Sequence, residues 1–395
     1  KHFAMIFESP EQLAAWSAVN RIFGFAPRTG AALIDHYGSP ESLFDADRKE
    51  LEYLLRHNTG YLDAIVPQTL EKERRELQAL MDEGVRMLCI GDERYPSLLK
   101  ECPDPPAMLY VRSLSPLESI FGNPKRISVV GTRDITSYGK EWCTRIVSAM
   151  SSCPACRPAI VSGLAIGTDI TAHLAALDRG LPTIAVMATG IDAVYPFRHG
   201  RYAEMISSAP GSALVTDYPP ETTPRAINFL RRNRIIAGLS DATILIESKI
   251  KGGGMMTCRI ASSYDREVFA LPGRIGDQCS AGCNELIRNG TAACISEVNS
   301  LLDSLGLRHG GKWEKDDIRM KTYTFYRDRE GADPAERLSI VADIVGRNPD
   351  IRIEDIATAA NMEYRDAANA VGMLECDGIV VTDLLRRCSV NPRFL

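Results

Sequence analysis

Short, almost entirely apolar runs alternate with helical stretches over residues 125–306, and this alternation constrains the fold more than any other feature of the chain. The apolar runs are rich in β-branched residues, as strands buried on both faces should be. They cover residues 127–130, 159–161, 183–187, 213–216, 243–246 and 268–271. Helical stretches at 139–150, 168–179 and 256–265 lie between them. The rhythm predicts an α/β fold with an extended Rossmann-like, doubly wound parallel sheet.

The flanking segments have other patterns and predict further domains. Residues 1–120 begin with short apolar helices punctuated by Gly24 and Gly38, so we expect an N-terminal helical domain of the SAM or helix-hairpin-helix type. Ala26 replaces the second glycine of the hairpin turn at 24–29, which favours packing over DNA contact. Residues 121–306 form the predicted Rossmann-like domain. Residues 307–334, charged and without an apolar period, predict a mobile linker. Three short helices and a β-ribbon predict a winged helix at 335–395.

The net charge of −5 argues against a protein that coats nucleic acid with its whole surface. It leaves room for a local basic groove, because charges are screened over about 10 Å. No apolar run approaches the roughly 18 residues of a membrane helix, and the first residues lack the features of a signal peptide. We therefore expect a cytoplasmic protein without membrane insertion.

The eleven cysteines are odd in number and scattered, so they do not predict a disulfide framework. Cys153 with Cys156 could be one half of a zinc site, and Cys279 with Cys283 the other half. The two pairs lie far apart in sequence, and the first lies in a short proline-rich connection. We predict buried or loop thiols, no bound metal and no cofactor.

Glycine and polar clusters follow four of the predicted strands. Because ligands of open parallel sheets bind beyond the carboxyl ends of the strands, these clusters should meet at one edge. Glycine lets backbone amides approach a phosphate, and the helix that follows adds a favourable dipole. The candidate contacts on these loops are Gly131, Thr132, Arg133, Ser162, Gly163, Lys251 and Gly253.

A stretch of arginines at residues 224–234 contains no acid and surrounds one aromatic residue. Arginine holds phosphate through a planar fork of donors, and any base can stack on an aromatic ring, so the stretch predicts binding of single-stranded DNA. The candidate contacts are Arg225, Asn228, Phe229, Arg231, Arg232, Asn233 and Arg234. An alternative interpretation is that these arginines pair with Asp217, Glu221 or Glu247.

Enzymatic motifs are missing from the sequence. No G-x-x-x-x-G-K-[ST] loop occurs, and no G-x-G-x-x-G follows the first strand, which argues against a P-loop ATPase and a dinucleotide dehydrogenase. His173 and His199 are the only histidines of the central segment, and no acids have the spacing of a nuclease. We therefore expect no catalytic residues.

Six successive motifs resemble those of the DNA-processing protein A (DprA/Smf) family, in family order. They are ISVVGTR (127–133), SGLAIGTD (162–169), MATGIDAVYP (187–196), NFLRRNRIIAG (228–238), EVFALPG (267–273) and GCNELIRNG (282–290). The resemblance implies single-stranded DNA binding in a basic pocket, homodimers through the Rossmann domain and loading of the RecA recombinase. It also implies a setting in natural transformation and competence.

The resemblance also implies roles for individual positions. Arg133 corresponds to a phosphate-holding arginine, Arg225 to a second basic contact and Phe229 to the aromatic that faces a base. The positions whose backbone amides would face phosphates are Gly131, Ser162, Gly163 and Gly253. Ile166 departs from the family, which often has a basic residue there. Leu230, Gly252 and Gly254 depart as well.

Two rival functions remain open. A nucleotide phosphoribohydrolase of the lysine-decarboxylase-like group would need a G-G-x-G-T-x-x-E loop. Met255 and Met256 depart from that loop here, and Arg259 replaces its acid. A nucleotide-sensing protein would hold a mononucleotide instead of a strand. In the predicted winged helix, Glu363, Asp366 and Glu375 on the third helix favour a protein-interaction or regulatory role over DNA contact.

Overall fold

The structure is a computed structural model that describes residues 6–56, 58–123, 125–151, 156–307, 317–348, 350–383 and 386–391. The chain divides into two compact units, residues 1–308 and 309–395. None of the described helices is long and apolar enough to cross a membrane.

The first unit contains nine strands. They are β1 (Arg86–Cys89), β2 (Met108–Arg112), β3 (Arg126–Val130), β4 (Ala159–Ser162), β5 (Thr183–Val186), β6 (Ala213–Thr216), β7 (Ala242–Leu245), β8 (Glu267–Ala270) and β9 (Ala293–Cys294).

Fifteen described α-helices belong to the same unit. They are α1 (Pro10–Phe23), α2 (Pro27–Tyr37), α3 (Pro40–Phe44), α4 (Arg48–Leu55), α5 (Thr59–Leu62), α6 (Pro67–Asp82), α7 (Ser97–Lys100), α8 (Leu117–Phe121), α9 (Ser137–Met150), α10 (Thr168–Asp178), α11 (Gly200–Ser208), α12 (Ala226–Gly238), α13 (Gly253–Ser263), α14 (Ala281–Arg288) and α15 (Val298–Ser304). A short 3-10 helix covers Phe197–His199.

All nine strands form one sheet in the order β1-β2-β6-β5-β4-β3-β7-β8-β9. Strands β3 to β9 pair in parallel, which confirms the predicted α/β fold with a parallel sheet. The structure differs from the predicted domain boundary at residues 120–121. Strand β2 pairs antiparallel with β6, and β1 with β2, so residues 86–112 belong to the sheet and not to a separate helical domain.

The core explains why the central strands are almost entirely apolar. Helices cover both faces of the parallel sheet, and successive side chains of a strand point to opposite faces. Ile127 and Val129 of β3 pack with α9, α10 and α15, whereas Val130 packs with α12, α13 and α14. The edge extension is covered by α1 and α6, because Leu13 and Leu77 pack with Met87 and Tyr110.

The second unit contains four helices and a small sheet. They are α16 (Asp317–Glu330), α17 (Ala332–Arg347), α18 (Ile353–Ala360), α19 (Tyr364–Cys376), β10 (Ile351–Arg352), β11 (Val380–Thr382) and β12 (Arg387–Val390). The three strands pair antiparallel in the order β10-β12-β11. The winged-helix assignment stays a prediction, as does the SAM or helix-hairpin-helix type of the first helices.

The predicted linker at 307–334 is wrong for residues 317–330, which form α16. Tyr326 of this helix is 1% exposed and packs on Leu338 and Val341 of α17. Its hydroxyl donates a hydrogen bond of 2.6 Å to the Asp377 carboxylate. Only a few apolar side chains anchor this helix, and most of its other residues are charged. Its sequence therefore has no clear apolar period. Residues 308–316 lie outside the described residues.

Candidate functional site

A cleft of about 600 Å³ opens beyond the carboxyl ends of β3, β4 and β7. The connection from β3 leads to β4 on one side, and the connection from β7 leads to β8 on the other. This divergence is the topological switch point at which open α/β sheets bind their ligands. The loops after these three strands and one face of α12 form the walls of the cleft. Eight of the predicted contacts line it, namely Gly131, Thr132, Arg133, Arg225, Phe229, Arg232, Asn233 and Gly253.

Helix α12 presents its cleft-lining residues at helical spacing. Phe229, Arg232, Asn233 and Ile236 all line the cleft, which places them on one face of the helix. Arg225 is the N-cap residue and lines the same cleft. The positive end of the helix dipole therefore points towards the cleft entrance, where it favours an anion.

Two cations and an aromatic ring meet at the entrance. Arg133 and Arg225 are exposed, and neither forms an ion pair with an acid in the part of the chain that the structure describes. The Arg133 guanidinium lies 5.0 Å from the centre of the Phe229 ring, within cation–π distance. Tyr195 contacts the same ring edge-on, with ring centres 5.5 Å apart. A ligand that touches Phe229 is therefore within reach of a free guanidinium.

The lysine that lines the cleft is Lys249, which the sequence analysis missed, while the predicted Lys251 is not among the lining residues. Both side chains are exposed on the loop after β7. The loop turns back on itself, because the Gly252 amide donates to the Lys249 carbonyl oxygen at 2.8 Å. The turn gives the two lysines different positions relative to the cleft, which residue type alone does not predict.

Ser162 and Gly163 are not among the residues that line the cleft, and their role as amide contacts stays a prediction. Ser162 is fully buried, and its hydroxyl donates to the Val129 carbonyl oxygen at 2.6 Å. A Cβ atom at position 163 would lie 2.5 Å from a terminal nitrogen of Arg232 and 2.2 Å from the Asp169 carboxylate. Glycine is therefore required at 163 so that these two side chains can fit below the cleft.

Arg232 lines the cleft from below and is 5% exposed. Its guanidinium donates to the Val186 carbonyl oxygen, and its Nε atom has no partner among the described residues. Burial lowers the pKa of Arg232 and raises the pKa of the neighbouring Asp169, and each charge opposes the shift of the other. An unpartnered buried donor is costly, so an acceptor in the cleft would stabilise Arg232.

Asn228, Arg231 and Arg234 do not line the cleft, so the structure does not bring these three predicted contacts together with the others. Arg231 and Arg234 bind Asp217 at 2.5 and 2.7 Å, as the alternative interpretation held for this acid. The Asn228 side-chain amide donates to the Thr223 carbonyl oxygen at 3.2 Å. Their positions on α12 are rotated away from the lining residues, so the helix turns them inward.

The other two proposed partners of the arginines have different roles. Glu247 is buried and accepts hydrogen bonds from the Thr136 amide at 2.9 Å and hydroxyl at 2.6 Å. The Glu221 amide donates to Asp192 at 2.9 Å. Neither acid forms an ion pair with an arginine of α12 among the described residues.

Further residues of the cleft escaped the sequence analysis. Tyr195 lines the cleft and belongs to the 187–196 motif. That motif was the signal that could have identified it. Asp169 belongs to the 162–169 motif but lies buried beside Arg232. Ile166, where the family often has a basic residue, lines the cleft as an apolar side chain.

No group of three or more His, Cys, Asp or Glu side chains that could hold a metal occurs among the residues the structure describes. Cys153 lies outside the described residues. Cys283 is buried, and burial raises the pKa of its thiol to about 12. Cys279 is half-buried. The alternative of a zinc site at these cysteines therefore gains no support from the described side chains.

Fold and cleft together define an α/β protein with a Rossmann-like sheet and a cleft lined by cationic side chains at its switch point. Residues 86–306 match the family model of DNA recombination-mediator protein A. The chain belongs to this family, which confirms the resemblance to DprA/Smf proteins.

The relatives cover most of the chain. It is 33% identical to Protein Smf of Synechocystis sp. over 294 residues, which are 74% of this chain and 72% of that protein. It is 37% identical to Protein Smf of Escherichia coli over 265 residues, which are 66% of this chain and 68% of that protein. The X-ray structure of DNA processing protein A (DprA) from Streptococcus pneumoniae is similar with a TM-score of 0.60 and 27% identity, covering 76% of this chain and 98% of that one.

Proposed function

We propose that this protein has a DNA-processing role in which the cleft binds single-stranded DNA without cutting it. Arg133, Arg225 and Lys249 would hold phosphates, and Phe229 would stack against a base. The observation that carries the proposal is the meeting of free cations and an aromatic ring at one cleft of a protein whose net charge is −5. Backbone amides at Gly131 and Gly253 add donors that suit a polyanion.

Single-stranded DNA fits this chemistry better than a duplex. In a duplex the base faces are stacked on each other, so a ring such as Phe229 reaches them only after unstacking. In a single strand the bases are free to stack on an aromatic side chain, whatever their sequence. We expect the Arg133 guanidinium, which lies over the Phe229 ring, to bind a phosphate of the stacked nucleotide. We therefore expect binding with weak sequence preference and strong salt dependence.

The titratable groups near the cleft support binding over catalysis. Asp134 and Asp169 are the acids among the described lining residues. The buried Asp169 has a raised pKa because of desolvation, and its carboxylate accepts from the Ala165 amide at 3.4 Å. His173 is fully buried, with its pKa lowered to about 3 by burial, and its Nδ1 lies 2.6 Å from the Thr183 hydroxyl. A neutral, enclosed imidazole cannot reach a substrate as a general base.

The phosphoribohydrolase alternative receives no support from helix α13. Position 259, where that loop would carry its acid, is an exposed arginine outside the cleft. Met255 is buried in the core between the sheet and α12 to α14. A hydrolase would have to use Asp134 or Asp169 instead, and neither lies on this helix.

The proposal extends to the partners that the family resemblance implies. We propose that the protein forms homodimers and loads RecA onto the bound strand during recombination of incoming DNA in natural transformation. Membership in a family described as recombination mediators supports this extension. For the second unit we propose a protein-interaction or regulatory role, supported by the acids of α19, Asp366 and Glu375.

A titration with fluorescent oligonucleotides tests the proposed function. The full chain is titrated into single-stranded and duplex DNA of equal length, and free nucleotide is measured in the same samples. We expect tighter binding of the single strand, weakening as salt rises, and no release of nucleotide. Equal affinity for the duplex, or release of base or mononucleotide, contradicts the proposal. Arg259→Ala, which removes an exposed arginine outside the cleft, is the control.

A further inference from the structure

An exposed aromatic residue and two arginines lie on the segment that leaves the cleft wall at Tyr195. The Phe197 side chain is 92% exposed. Arg198 and Arg201 are exposed as well. Neither arginine forms an ion pair with any acid in the described ranges. Such a cluster combines the two groups that bind single-stranded nucleic acid, a stacking ring and free cations.

The protein holds this segment in place from below. The short 3-10 helix Phe197–His199 precedes α11 directly. His199 is buried, and its Nδ1 donates to the Leu164 carbonyl oxygen at 2.8 Å. Because this bond anchors one side of the short helix, Phe197 is presented to solvent by a fixed backbone. The exposure of the ring is therefore built into the fold.

The segment is continuous with the cleft. Tyr195 lines the cleft and contacts the Phe229 ring, and it is itself 46% exposed. Two residues of extended chain span at most about 7 Å, so the backbone of Phe197 lies within that distance of Tyr195. The Phe229 and Tyr195 rings are therefore in contact at the cleft, and the exposed Phe197 lies on the chain close to them.

We propose that Tyr195, Phe197, Arg198 and Arg201 form an exit platform, a second contact region for the same DNA strand after it leaves the cleft. The inference rests on the proposed function and adds the direction of the strand and a longer site. Phe197 stacks with a base outside the cleft, and the two arginines hold the phosphates next to it. A polyanion is the occupant that the free positive charges favour, and continuity with the cleft selects the bound strand over a separate ligand.

The acids around the platform fit this occupant. Asp192 binds the Glu221 amide, and its other carboxylate oxygen lies close to Gly190, so it faces the loop backbone. Glu204 is exposed on α11, without an ion pair to a described base. The two unpaired arginines outnumber this one glutamate, so the outward surface of the platform has a net positive charge.

The test compares two oligonucleotide lengths, because only a long strand can reach the platform. Thymidine oligonucleotides of about five and about fifteen residues are titrated with the full chain and with Phe197→Ala. We expect the variant to bind the long strand about five- to tenfold more weakly and the short strand like the unchanged protein. Tyr53→Ala, at an aromatic residue that is 82% exposed on α4, is the matched control and should change neither.

A second variant examines the charges. Arg198→Ala combined with Arg201→Ala should flatten the salt dependence for the long strand by about 1.4 in the slope of log affinity against log salt, at about 0.7 per phosphate contact. The slope for the short strand should not change.

The possible outcomes separate the two proposals. If Phe197→Ala binds the long strand like the unchanged protein, or weakens both lengths equally, the exit platform is wrong while the cleft stands. A change in oligomer mass without a change in DNA affinity also overturns the platform, because the ring then serves contact with a protein. If the unchanged protein binds neither strand, the proposed function fails and the platform with it.

Discussion

Helix α12 and its N-cap residue contain two groups of arginines that face opposite sides of the helix, although all four lie within ten residues in sequence. Arg225 and Arg232 line the cleft. Arg231 and Arg234 are directed inward and share the Asp217 carboxylate. Each residue turns the helix by about 100°, so neighbours in sequence face different surroundings. An arginine-rich stretch therefore does not measure the size of a DNA-binding surface until the phase of the helix is known.

The inward group joins α12 to the N-terminal helices. The Arg231 guanidinium lies over the Phe25 ring at 4.6 Å and the Tyr218 ring at 4.9 Å. The Asn20 side-chain amide donates to the Asp217 carbonyl oxygen at 2.7 Å. These contacts fix the orientation of the helix whose other face lines the cleft. The inward arginines thus contribute to the site by holding the helix in place.

The largest expected effect comes from removing the acid that the inward arginines share. Asp217→Ala leaves two buried guanidinium groups without their carboxylate, so we expect the free energy of unfolding to fall by about 3–5 kcal/mol. Urea denaturation followed by tryptophan fluorescence measures the loss. Asp134→Ala, which removes an exposed acid at the cleft, should leave stability unchanged. Equal stability of the two variants would show that the inward arginines do not depend on Asp217 for the stability of the fold.

Phe229→Ala should weaken single-strand binding by about 1–3 kcal/mol, because a stacked base loses its aromatic partner. Phe229→Tyr keeps the ring face and should retain most of the affinity. Fluorescence anisotropy with a labelled oligonucleotide gives both values. If the alanine and tyrosine variants lose the same affinity, stacking is not what Phe229 contributes.

The exposed arginines at the entrance should affect binding without affecting folding. We expect Arg133→Ala and Arg225→Ala each to weaken binding about tenfold, largely independent of sequence, and to reduce the salt slope by about 0.7. Their melting temperatures should match that of the unchanged protein, since neither arginine has a partner acid among the described residues. Wild-type affinity of both variants at moderate salt means that the strand lies elsewhere.

The smallest effect separates two lysines on one loop. Lys249→Ala should weaken binding about threefold, and Lys251→Ala by less, because only the former lines the cleft. The same anisotropy titration at low salt resolves the difference. A larger loss for Lys251→Ala would place the strand over the tip of the loop and not along its base.

The sequence was sufficient for the parallel sheet, because strands such as β3 and β7 are almost continuously apolar, and every residue in them is buried. It also located the glycine loops at the switch point. It could not separate Arg232 from Arg234, because the distinguishing partner, Asp217, lies on another segment and acts only in the folded chain. Helix α16 was missed for a related reason, since Tyr326 anchors it to residues that follow later in sequence.

The antiparallel pair β1–β2 has a practical consequence for anyone who shortens this protein. A truncation that begins at residue 121 removes both strands and leaves β6 with an unpaired edge, open to aggregation. The family match begins at Arg86, the first residue of β1, so a fragment that keeps this sheet edge paired must begin before that position.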